Sequence, residues 1–150
     1  MKDKRGFTLI ELVVVIGLAG IVISVVMSFF MTNYRSYEAI NIQSEVQYDS
    51  QYIINFMTNK ILEAKSYEGE TNNQHIFKYS NGKEAYFEVE NKKLKYDHEL
   101  DSHITIGNNI KDLNVEMVGN NGVKITLTLE KGKNDSYSAE QVIYMRNSLN

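Results

Sequence analysis

LVVVIGLAGIVISVVMSFFM, residues Leu12–Met31, is a run of twenty residues without a charge. At a rise of about 1.5 Å per residue, a helix of that length crosses the roughly 30 Å hydrocarbon core of a bilayer. A core helix of a water-soluble protein is apolar on every side only in a protein much larger than 150 residues. The run therefore reads as a membrane span. A secretory signal peptide also opens on basic residues, but its apolar stretch is only about 7–15 residues long. No small-x-small cleavage site follows cleanly here either, because Phe29, Phe30 and Met31 close the run.

Charge orients the span. Lys2, Lys4 and Arg5 precede it, offset only by Asp3, whereas Arg35 is the one positive charge shortly after it. The excess of basic residues on one side places residues 1–6 in the cytoplasm and residues 32–150 outside, in a single-pass membrane protein. Net charge is −3 overall. A weakly acidic chain with no basic stripe offers nucleic acid no electrostatic footprint. Cysteine is absent, which removes disulfides, thiol catalysis and thiolate metal sites. Proline is absent as well, which favours long unbroken helices and leaves turns to glycine and asparagine.

Past the membrane the helical period continues. Val46, Ile53, Met57, Ile61 and Ala64 recur at spacings of three, four and seven, with Ile42, Ile54 and Leu62 widening the stripe. Gln43, Glu45, Gln47, Asp49, Gln51, Asn55, Asn59, Lys60 and Glu63 fill the other side. One face of this amphipathic helix is committed to a partner surface. The helix is expected to run from Phe7 to about Ser66 and to be ended by Gly69 and Asn72-Asn73.

The partner surface is expected to be one antiparallel sheet. Asn81-Gly82 between Ile76–Tyr79 and Ala85–Val89 is a strong hairpin signal. Lys93–Tyr96 follows a tight turn at Asn91-Lys92. Ile110–Val118, a turn at Asn120-Asn121-Gly122, the alternating Val123–Leu129 and a last strand at Gln141–Met145 complete the set. The chain then divides into a leader (1–6), a membrane half of the helix (7–31), an amphipathic half (32–68) and an antiparallel β region (69–150), an α+β protein.

The residues that carry function precede the span: K-R-G-F-T-L-I-E-L, Lys4–Leu12. A carboxylate at the start of a spanning helix is disfavoured by the membrane, so Glu11 is by default functional. Gly6, with no Cβ, leaves the backbone open just before the helix. Residue by residue, Gly6, Phe7, Thr8, Leu9, Ile10 and Glu11 resemble the cleavage and methylation signal of prepilins and pseudopilins, the type IV pilin-like superfamily. That resemblance implies the type IV pilin fold, with a long N-terminal helix packed on an antiparallel sheet. It implies cleavage between Gly6 and Phe7 by a prepilin peptidase working at the cytoplasmic face, and N-methylation of the new Phe7 amine without loss of its charge. It further implies that Glu11 pairs with the Phe7 amine of a neighbouring subunit in a filament core, a device for register more than for stability. The implied partners are other pilin or pseudopilin subunits, the peptidase, the membrane and an inner-membrane assembly platform, and the end point is an extracellular filament.

A second, fainter resemblance lies in the outer region. The Val123–Leu129 strand and the terminal Y-M-R-N, Tyr144–Asn147, are similar to J-type minor pseudopilins and W-type minor pilins. A minor subunit that is incorporated into a filament, or primes its assembly, is therefore expected. The alternatives are a pseudopilin of a type II secretion system or of a DNA-uptake filament, and a membrane-anchored adhesin. Ser28 stands where many major pilins carry a helix-breaking proline, although Gly17 and Gly20 remain as weak points of the helix.

Gly20, Ser24 and Ser28 form a small-xxx-small line suited to helix packing. Tyr34, Tyr37 and Tyr48 are placed to anchor at the exit interface or to meet other subunits. His98 and His103 with Asp97, Glu99 and Asp101 fit no ligand spacing, so they read as a solvated loop, with no metal and no cofactor expected. Lys131, Lys133 and Asp135 read as another loop. No phosphate loop, nucleophile–base arrangement or paired-carboxylate cleft is visible, so no catalytic residue is expected and the chain reads as a structural subunit, not an enzyme.

Overall fold

The computed structural model describes residues 7–98, 103–131 and 135–146. Its chain divides into two compact units, Met1–Asn41 and Ile42–Asn150. A single α-helix, α1 (Leu9–Leu62), runs through both and is followed by antiparallel strands.

In the first unit every described side chain is exposed, from Phe7 to Asn41. Valine, isoleucine, leucine and phenylalanine cover all sides of α1 here, and the helix is long and apolar enough to cross a membrane. Its hydroxyls are returned to its own backbone. Ser24 Oγ donates to the Gly20 carbonyl at 2.8 Å, Ser28 Oγ to Ser24 at 2.9 Å and Thr32 Oγ1 to Ser28 at 3.0 Å. A polar group in a medium without water must find a partner inside the helix, and these do.

The second unit begins where α1 becomes one-sided. Val46, Ser50, Ile53, Ile54, Met57 and Ile61 are buried, at the spacings that put residues on one helix face. The helix stops at Leu62, four residues before the expected end near Ser66. Two partners explain the stop. The Tyr79 hydroxyl donates to the Lys60 carbonyl at 3.1 Å, satisfying one of the last acceptors of the helix. Ala64 already pairs with Tyr79 as the first residue of β1 (Ala64–Thr71). Gly69 therefore does not terminate a helix. With φ of 99° it sits at a bulge, where the register of β1 shifts between Tyr67 and Gly69. Asn72-Asn73, both at positive φ, make the two-residue turn into β2 (Gln74–Tyr79).

The Asn81-Gly82 turn leads into β3 (Glu84–Glu90), and Asn91-Lys92, again both at positive φ, into β4 (Lys93–Asp97). A strand not foreseen from the sequence, β5 (Ile104–Asn108), completes a five-stranded sheet in the order β1-β2-β3-β4-β5. β6 (Ile110–Val118), β7 (Gly122–Lys131) and β8 (Asp135–Tyr144) form a separate three-stranded sheet. The expected single sheet is thus two. Asn109, at φ of 60°, turns the chain between them, and the corner is held by Ile110 N donating to Lys92 O at 3.0 Å and Glu130 N to Asn109 O at 2.8 Å. β8 starts at Asp135 rather than Gln141. Its first residues, DSYSAE, carry little hydrophobic alternation, and ladder pairing from Lys131↔Asp135 to Thr126↔Glu140 holds them extended.

Both sheets and the outer part of α1 share one core. Phe77, Phe87, Leu94 and Tyr96 from the larger sheet meet Ile53, Met57 and Ile61 of α1 and Ile125, Leu127 and Ile143 of the smaller one. Gly107 on β5 lies against the helix: a Cβ there would collide with the Ile53 side chain.

Candidate functional site

The first turn of α1 assembles from four residues. Thr8 precedes the first helical residue, and the Glu11 amide donates to its Oγ1 at 3.3 Å. In return Glu11 Oε2 accepts from the Thr8 amide at 2.9 Å and the Thr8 hydroxyl at 2.8 Å. This is a capping box, which satisfies backbone donors that the helix itself leaves unpaired. The Thr-x-x-Glu spacing that marks it is plain in the sequence, and it gives Thr8, otherwise only one letter of the motif, a role of its own. Glu11 thus has a role within its own chain: its charge is held by two donors and by the positive end of the helix dipole. Both of these bonds end on Oε2, so Oε1 takes neither. Phe7 is 92% exposed next to this box, open to a protease or to another chain. Gly6, the other side of the expected cleavage bond, lies outside the described residues.

Gly20, Ser24 and Ser28 follow one another at every fourth position of the same helix, all exposed, with nothing within 4 Å of where a Gly20 Cβ would stand. Because the two hydroxyls are spent on the helix backbone, this line offers a close-approach surface with no unmet donor.

The histidines and carboxylates of the outer unit are placed differently from the solvated loop expected. Asp97 is 3% exposed, at the end of β4, and its Oδ2 lies 2.9 Å from His103 Nδ1. His98 leans on the rings of Tyr79 and Tyr96, at 5.8 and 6.3 Å between centroids. Glu99, Asp101 and Lys133 lie outside the described residues. Among the described residues no group of three or more His, Asp or Glu side chains could hold a metal ion. Lys131 is a strand residue, not a loop residue, and its ammonium pairs with Glu45 on α1. A pair that the sequence did not single out is Tyr67 and His75, whose hydroxyl and Nδ1 are 2.9 Å apart beneath β6. A small cavity of about 120 Å³ opens beside them, lined by Asn73, His75, Val89, Lys111, Asp112 and Leu113.

Residues 1–27 match the family model of the prokaryotic N-terminal methylation motif. No curated protein and no solved structure matches the chain. The segment matched contains the capping box and the first part of the apolar helix, so the chain carries a prepilin-type signal at the head of a membrane-capable helix. The α+β arrangement behind it, one long N-terminal helix packed through its outer part on antiparallel sheets, is that of a type IV pilin fold.

Proposed function

We propose that this chain, a type IV pilin-like precursor by its N-terminal methylation motif, is a minor pilin or pseudopilin. In this reading it is cut after Gly6, N-methylated on Phe7, and incorporated into a filament or used to prime one. The observation that carries the proposal is the coincidence, in one segment, of the motif with an apolar helix that is exposed on every side. Such a surface suits a bilayer first and the packed helices of neighbouring subunits afterwards. The motif implies a prepilin peptidase and other pilins as partners. The family that carries it is structural, and this chain's work is to occupy a place in an assembly.

Glu11 serves two states in this reading. Before assembly its carboxylate is held by Thr8; in the filament it meets the Phe7 amine of a neighbour, so that two charges in apolar surroundings relieve one another. Gly20, Ser24 and Ser28 supply a face for helix contact. The minor role rests on the β7–β8 pair and the Tyr144–Asn147 end, with Ser28 in place of a helix-breaking residue. A bulk subunit must offer complementary surfaces above and below, whereas a subunit at a tip needs only one.

Mass spectrometry of protein extracted from native membranes tests the core of the proposal. The expected N-terminal peptide begins at Phe7 and carries one methyl group; an intact Met1 overturns the reading. Immunogold labelling tests the minor role: sparse or terminal label is expected, and dense, regular label along whole filaments refutes it.

A further inference from the structure

The two sheets end in four edge strands, β1, β5, β6 and β8, and three of them are blunted. β1 is broken by two shifts of register, and β5 is five residues long with a shift against β4. β6 also carries a shift, and its Val115 carbonyl accepts from the Tyr67 hydroxyl of β1 at 3.2 Å. Short strands, bulges and covering groups are the means by which proteins keep a sheet edge from pairing. β8 has none of them. Its ten residues, DSYSAEQVIY, include no lysine, arginine, proline or glycine and follow β7 without a shift. Among the described residues no strand lies on its other side.

The ladder shows which groups this edge presents. Met145 N donates to Asn121 O at 2.9 Å, so Gly122 and Tyr144, the next pair along, exchange no bond, and the alternation fixes the rest. Tyr137, Ala139, Gln141 and Ile143 spend their backbone groups on β7. Ser136, Ser138, Glu140 and Val142 aim theirs at the open edge. In keeping with this, the Val142 carbonyl accepts from the carboxamide of its neighbour Gln141 at 3.0 Å.

We propose that this edge docks a second copy of the chain, the two β8 strands pairing antiparallel about a two-fold axis at Ala139 and joining two three-stranded sheets into one. An axis normal to the sheet keeps both outer faces on one side, so Ser136, Ser138, Glu140 and Val142 must meet one another. They are also the residues with free backbone groups, so side-chain faces and hydrogen bonds agree. Two such registers overlap the strands over all but one residue. The one centred on Glu140 sets that carboxylate opposite its own copy, which is destabilising. The one centred on Ala139 sets Glu140 opposite Ser138 and Val142 opposite Ser136, and leaves Glu140 its ion pair with Lys124 at 2.8 Å. Such a pair is closed, because it consumes both free edges and leaves none for a third chain. It belongs to the outer unit and does not depend on processing after Gly6.

The chain has no cysteine, so single cysteines report the joint without background. In the full-length chain in micelles, Ala139→Cys should give a disulfide-linked dimer on mild oxidation, since facing Cα atoms about 4.5 Å apart are within bridging range. Ser136→Cys should not, because its counterpart lies about 20 Å along the joint. Ser138→Pro removes a donor that points away from β7, so the outer unit should still melt cooperatively while the Ala139→Cys cross-link made in the same chain is lost. Should the proline variant not fold, the contrast between the two cysteines decides alone. Equal cross-linking of both cysteines, or a cross-link that survives Ser138→Pro in folded protein, overturns the proposal. A chain that sediments as a monomer with Ala139→Cys unlinked overturns it too, and leaves the edge to a strand of a different protein.

Discussion

One helix, α1, is built to two different standards. From Leu9 to Met31 its apolar side chains point in all directions and none is buried. From Val46 to Ile61 the aliphatic ones gather on one face, where Val46, Ile53, Ile54, Met57 and Ile61 are nine-tenths or more buried, Ile53, Met57 and Ile61 at 0% exposure. The backbone is the same in both, and what differs is the medium each face was selected for. The first stretch needs only to be apolar, since lipid tails and other apolar helices accept any such side chain. The second must fit a particular set of neighbours at close packing, so the identity and volume of each residue matter. Tolerance to substitution should therefore separate the two halves sharply.

The largest effect is expected from an acid placed in each half. Met57→Asp puts an unpaired carboxylate into the shared core, at a cost on the scale of the whole stability of a small domain, about 5–15 kcal/mol. The full-length chain in micelles should then show no cooperative melt of its outer unit. Met27→Asp should leave that melt intact and instead reduce recovery in the membrane fraction. A normal melt for Met57→Asp would break the comparison at its centre.

Glu11 sharpens it from the other side, as the polar exception in the tolerant half. Glu11→Ala should keep membrane insertion and cleavage while most of the variant is missing from sheared filament fractions. Normal incorporation would leave the capping box as the only role of that carboxylate.

Glycines give a smaller and more local contrast. Gly107→Ala places a methyl against Ile53 and should cost about 1–3 kcal/mol by overpacking, read from chemical denaturation of the outer unit. Gly17→Ala meets nothing within 4 Å and should strengthen the helix slightly, by about 1 kcal/mol or less. Smallest of all, Ser24→Ala removes a hydroxyl whose only bond is to its own helix. It should change insertion and the outer melt by less than about 0.5 kcal/mol. Any marked loss of filament incorporation in that variant would locate a packing contact on the Gly20–Ser24–Ser28 line.

The hairpins were legible because their turns are local chemistry. Gly82 in the first turn and both Asn91 and Lys92 in the second take positive φ by themselves, and both turns formed where the sequence placed them. The N-terminal motif was legible for a similar reason, since the segment that matches it, residues 1–27, is contiguous. The capping partner there, Thr8, stands three residues from Glu11 and carries a known capping signature.

What could not be read were choices made between distant residues. Ala64–Ser66 continues the helical pattern of the residues before it, and pairing with β2 and the Tyr79 hydroxyl on Lys60 turn it into the start of a strand. The polar start of β8 is extended because β7 is there to pair with it, and the strands divide into two sheets because Asn109 turns the chain between β5 and β6. Tyr67 and Val115 are 48 residues apart, so no local signal foretells their contact. Local order is encoded in neighbouring side chains and is therefore present in the sequence itself. The end of the helix, the division into sheets and the buried Tyr67–His75 joint depend on which surfaces meet, and that was settled only when the core closed.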